Sequence, residues 1–120
     1  MFQILFISHL LACGPSAQET AARAYAVEMQ SLWSENQEIG REFMDVASKI
    51  KKDDIGPIEI AKRFDERVVP RARSLANKVT EMKAGSASLE GVHAGIVRAW
   101  EIRADSYEQM NQAWKDTNMQ

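Results

Sequence analysis

The sequence predicts an all-α protein, an up-down-up antiparallel three-helix bundle with a kink in the second helix. Three observations carry that expectation. Gly and Pro are scarce, six and three in 120 residues, so the composition favours helix over a turn-rich sheet. Apolar residues recur at alternating spacings of three and four rather than two. Two short breaks divide the chain, and short connections force neighbouring helices to run antiparallel.

The first helix is expected from about Ala17 to Lys52. Its seam reads Ala22, Tyr25, Met29, Leu32, Asn36, Ile39, Phe43, Val46 and Ile50, the repeat of a coiled coil. A flanking row of Ala26, Trp33, Gly40 and Ala47 widens the apolar face, and Lys49, Lys51 and Lys52 suit the negative end of the dipole. Asp53-Asp54-Ile55-Gly56-Pro57 ends it, with Pro57 placed to open the next helix.

The second helix is expected to reach about Lys83, with Ala61, Phe64, Val68, Ala72, Leu75, Val79 and Met82 inward. Two successive spacings of four coincide with Pro70, which lacks an N–H and should kink the helix. Lys83-Ala84-Gly85-Ser86 is a break with a helix-ending glycine, and Ser86 or Ser88 can cap the third helix. That helix places Leu89, Val92 or His93, Ile96, Trp100, Arg103, Tyr107, Met110 and Trp114 on one face and should end near Thr117.

Counting away from tight turns puts Gly40, Pro70 and Trp100 in one layer, with the indole in the space Gly40 leaves. The same count leaves residues 17–28 overhanging the turn between the second and third helices. That exposes Tyr25 as a contact for a partner or a second copy.

Charge is segregated by helix. Residues 58–83 hold seven Lys or Arg against four Asp or Glu, whereas residues 19–45 hold two against six. A basic helix between acidic ones fixes helix order more than it adds stability. Arg63, Arg67 and Arg71 recur every four residues as one stripe. Such a stripe can bind an anionic partner, or it can be met by Glu28, Glu35 and Glu42 of the first helix. Arg103, on an otherwise apolar face, is expected to snorkel or to pair with a carboxylate such as Glu42.

A net charge of −2 with no aromatic residues between the arginines argues against nucleic-acid binding. His93 stands without neighbouring ligands, so no metal site is expected. Glycine-rich phosphate loops, haem motifs and nucleophile elbows do not occur, so no cofactor and no enzymatic activity are expected.

The N-terminal stretch has a different character. Residues 1–12 contain no Asp, Glu, Lys or Arg, and Ile4-Leu5-Phe6-Ile7 with Leu10-Leu11-Ala12 forms an apolar run of signal-peptide length, too short to span a bilayer. It closes on Leu10-Leu11-Ala12-Cys13, and then Gly14-Pro15-Ser16 turns the chain polar. This resembles the lipobox of bacterial lipoproteins, with Leu10 third before the cysteine and a small Ala12 just before it.

The resemblance implies removal of residues 1–12 and a lipidated Cys13 with a linker to about residue 20. A helical domain then covers residues 21–120. In such families Gly14 after the cysteine implies the outer membrane rather than the inner, with the protein facing the periplasm. Several acyl chains hold a protein firmly, at about 0.8 kcal/mol per buried methylene. The stretch from Val68-Val69-Pro70-Arg71-Ala72-Arg73 to Trp100 and Tyr107 is similar to small uncharacterised helical envelope lipoproteins.

The expected function is therefore a membrane-anchored, non-enzymatic envelope protein that engages an unknown protein partner or a second copy of itself, or that supports envelope structure. The alternative is a sensor-type bundle that cradles a small ligand near Trp100.

Overall fold

The computed structural model describes Gly14 and residues 16–119. The signal-like segment and Cys13 lie outside the described residues. Every regular element is helical, with no strand among the described residues. The three helical stretches are α1 (Ala17–Lys52), a second stretch made of α2 (Pro57–Arg63), a π-helical turn (Phe64–Val68) and α3 (Val69–Glu81), and finally α4 (Ala87–Asn118).

Local chemistry accounts for the boundaries. The Ser16 hydroxyl accepts from the Glu19 N–H at 3.1 Å and caps α1, as a serine three residues before a glutamate is suited to do. At the other end Asp53 takes the left-handed conformation, φ 57°, and the Asp53 and Asp54 N–H groups close on the Ile50 and Lys49 carbonyls. Three basic residues line that last turn. Gly56 then caps α2 ahead of Pro57.

The residues around Pro70 form a wide turn. The Val69 N–H reaches back five residues to the Phe64 carbonyl, which makes the turn π-helical. Pro70, in the first turn of α3, comes next with no N–H to give. The periodicity break that sequence assigns to a kink is thus met by one extra residue in the turn.

The core is a strip along the second stretch: Ile60, Phe64, Val68, Ala72, Leu75 and Val79 are buried against Ile39 and Val46 of α1 and Trp100, Ala104 and Tyr107 of α4. Burial of side chains of this kind contributes roughly 1.5–3 kcal/mol each. The basic stretch is tied to both neighbours. Lys78 meets Glu35 and Arg71 meets Glu38 on one side, and Arg73 bridges Asp105 and Glu108 on the other.

Two expectations of register are corrected. Trp100 is buried, but its ring lies 6.3 Å from that of Trp33, not over Gly40, where an added Cβ would meet nothing within 4 Å. Pro70 is exposed. The start of α4 runs beside residues 17–28, where Gln18 donates to Ser88 at 3.0 Å and Tyr25 meets His93, although all of those residues but Ala21 and Tyr25 are exposed.

One cause explains both differences. The connection between α3 and α4 is extended, not tight: Met82 has ψ 141° and Ser86 ψ 155°. An extended residue advances about 3.3 Å against 1.5 Å in a helix. Gly85, between Met82 and Ser86, has φ 83°, so the connection is not extended throughout, but its extended residues make it longer than a tight turn. They carry the start of α4 down beside the start of α1, and an added Cβ at Gly85 would come 3.7 Å from Ala21 Cβ.

Candidate functional site

The most distinctive surface arises from how α1 and α4 meet. Both pack closely on the second stretch, yet their own backbones scarcely approach each other. Long side chains bridge the gap. From the α1 N-terminus onward these are Tyr25 on His93, Trp33 on Trp100, Asn36 on Arg103 and Phe43 on Tyr107.

The geometry of this ladder is specific. Tyr25 Oη lies 3.0 Å from His93 Nδ1 with the rings edge to face, and burial pushes the Tyr25 phenol up. Phe43 stacks on Tyr107 at 5.0 Å and meets Phe64 edge-on at 6.0 Å. Such aromatic pairs add about 0.5–1.5 kcal/mol beyond their buried area.

Past the last rung the helices leave a groove of about 480 Å³, lined by Phe43, Ala47, Ile50, Phe64, Met110 and Trp114. A second hollow of about 510 Å³ lies against the extended connection, beside Glu90 and His93. Trp100 lines neither.

Arg103 sits inside the ladder. Its Nη1 donates to Asn36 Oδ1, and its guanidinium lies 5.7 Å from the centre of the Tyr107 ring, a cation-π contact. Nε and Nη2 are shielded from solvent and have no partner. Burial lowers the pKa of this guanidinium. The carboxylate expected for it belongs to another arginine, because Glu42 is taken by Arg63.

The arginine stripe is dispersed over different tasks. Arg63 is 8% exposed and donates Nε and Nη2 to Glu42 at 2.9 and 2.6 Å, with Nη2 also 2.7 Å from Asp45. Although burial opposes its charge, bonds to Asp45 and Glu42 hold its pKa above the ordinary value. Arg71 is paired with Glu38 at 2.8 Å. Arg67 approaches Glu42 only to 3.8 Å and keeps most of its side chain in solvent. The three arginines thus offer one open guanidinium, not a continuous cationic stripe. Tyr25, expected to await a partner, is engaged by His93.

Sequence reasoning missed the Tyr25–His93 and Trp33–Trp100 pairs and the groove at Trp114. The signal for an open face was present in the flanking row Ala26, Trp33, Gly40 and Ala47. Among the described residues no group of three or more His, Cys, Asp or Glu converges as a metal site. None of the described helices is long and apolar enough to cross a membrane. No protein-family model, curated protein or solved structure matches the chain.

Proposed function

We propose that this chain is a lipid-anchored, non-enzymatic helical protein of the bacterial envelope, held on the periplasmic face of the outer membrane, whose role is to hold another protein. The observation that carries the reading is Leu10-Leu11-Ala12-Cys13 at the end of an uncharged apolar run. The helical domain behind it supports the reading through an apolar face left open between α1 and α4, a feature that marks interaction surfaces.

The finer architecture belongs to the same reading: three helices running up, down and up, the second bent at its wide turn. Pairs such as Arg63–Asp45, Arg71–Glu38 and Lys78–Glu35 support it, since residue numbers rise on one helix as they fall on the other. The same is true of Lys115–Asp65 and Arg73–Asp105. The π-helical turn before Pro70 supports the bend.

A second reading, a small apolar ligand held between the helices, is favoured by the groove of about 480 Å³ beside Trp114. It is the weaker of the two, because the Thr117 and Asn118 side chains that line that groove donate to the Ala113 and Trp114 carbonyls of their own helix.

Membrane fractionation of the producing cells tests the anchor. The native chain is expected in the membrane fraction, released by detergent and not by high salt, and Cys13→Ser is expected to move it to the soluble fraction or to leave it unprocessed. A Cys13→Ser chain that is processed and distributed like the native one would overturn the reading.

A further inference from the structure

The side of the molecule turned away from the second stretch differs from the rest in both polarity and charge. Among the described residues eight large apolar side chains are exposed, and five of them, Trp33, Met44, Val92, Ile102 and Met110, stand there. On α1 they belong to the row Ala26, Met29, Trp33, Gly40, Met44 and Ala47, and on α4 to the row Val92, Gly95, Ala99, Ile102, Ser106 and Met110. Both rows keep helical spacing without a charged residue, so they form one apolar strip along two helices.

The charges around that strip are one-sided. Of the α1 carboxylates, Glu35, Glu38, Glu42 and Asp45 pair with the second stretch, and Glu28 lines a hollow with its Lys78 and Glu81. On α4, Asp105 and Glu108 pair with Arg73, Glu101 accepts from Thr80, and Glu90 lines the hollow at the connection. Only Glu19 and Asp116 remain, one in the first turn of α1 and the other close to the end of α4. The cations are disposed the other way. Arg23, Arg41 and Lys52 follow one another along the outer edge of α1, Lys51 comes four residues after Ala47, and Arg98 comes four before Ile102. All five are exposed. Arg103, inside the ladder, is held by Asn36 and takes no part.

An apolar strip with Trp and Met along it and cations at its edges is complementary to an anionic bilayer surface, where apolar side chains enter the acyl boundary while Lys and Arg reach the headgroups. The anchor brings such a surface within reach. Only Gly14-Pro15-Ser16 separates Cys13 from α1, at most about 10 Å of chain. A lipid on Cys13 therefore holds α1 beside the headgroups at high effective concentration.

We infer that the α1–α4 face rests on the anionic lipid surface to which the chain is tethered, and that a protein partner must displace it from there in order to bind. This deepens the proposed function and rests on the lipid at Cys13.

The test uses the full-length protein purified from the membranes of its own cells and reconstituted into vesicles of phosphatidylcholine, alone or mixed with phosphatidylglycerol. Part of the lipid carries bromine near the headgroup, which quenches tryptophan on contact. Trp33 is expected to be quenched in the anionic vesicles and much less in the neutral ones, and Trp33→Phe is expected to remove that difference. Arg41→Gln is expected to lower the ratio of docked to free chains about fivefold, the scale of one basic residue near an anionic surface, and Met44→Glu to abolish docking. These substitutions are at exposed positions, and circular dichroism checks their helicity. Should one fail to fold, the comparison of the two lipids on the unaltered chain still decides. Unquenched tryptophan, equal quenching in the two lipids, or quenching that survives Met44→Glu would overturn the inference. So would sedimentation in detergent showing self-association that Met44→Glu abolishes, since a second copy would then cover the face. Intact mass reads the anchor separately. An unmodified Cys13 would overturn both readings, whereas a lipidated chain with unquenched Trp33 overturns this one alone.

Discussion

At the scale of single residues, the ion pairs of the basic stretch set how the protein responds to acid. Asp65 accepts from Lys115 Nζ at 2.8 Å and from Asn111 Nδ2 at 2.7 Å, and the Lys115 ammonium holds its carboxyl below the usual carboxylate range. Hydrogen bonds from Arg63 and then Lys49 do the same for Asp45. A carboxylate whose pKa is depressed on folding contributes stability above its unfolded value of about 4 and loses it as pH falls through the folded value. Because Asp65 is half in solvent, its share is small, about 0.5–1 kcal/mol. Asp65→Asn is expected to lower the unfolding free energy at pH 7 by that modest amount and to converge with the native chain in acid. Urea titrations at pH 7 and pH 3 with the same offset between the two proteins would contradict it.

At the scale of elements, what the sequence made legible depended on whether a helix or an extended segment was counted. The bounds of α1 were readable because a 3–4 seam, a closing basic turn and the Asp-Asp-Ile-Gly-Pro break agree over 36 residues. The second stretch was legible as helix, and the irregularity near Pro70 announced itself in two successive spacings of four. The connection after Glu81 was not. A count that treats Lys83-Ala84-Gly85-Ser86 as a tight turn misplaces α4 along α1 by about two turns, because extended residues advance about twice as far as helical ones. That error alone created the supposed Trp100–Gly40 layer and the supposed overhang. It also hid the candidate face, since the partners of Tyr25, Trp33 and Asn36 all depend on this register. Hydrogen exchange checks the corrected register. Amides of α1 from Tyr25 onward are expected to be protected together with those after His93, and Tyr25→Phe is expected to speed exchange at both. Free exchange up to Met29 beside strong protection from Leu32 to Val46 would restore the overhang.

At the scale of the whole molecule, the chain divides its charges and its apolar surface unequally. Carboxylates of α1 and α4 turn toward the basic stretch between them, where their pairing fixes which helix lies in the middle. The opposite side, between α1 and α4, keeps exposed Trp33, Met44, Val92 and Met110. An anchor at Cys13 would hold the α1 N-terminus near a membrane and leave that side open along the helices. Lipidation of Cys13 is the claim on which this account of the protein's place in the cell depends. Intact mass of the protein extracted from the membranes of its own cells measures it most directly. A chain that begins at Cys13 and carries a diacylglycerol and an N-linked acyl chain is expected. A chain that retains Met1 and an unmodified cysteine would contradict it.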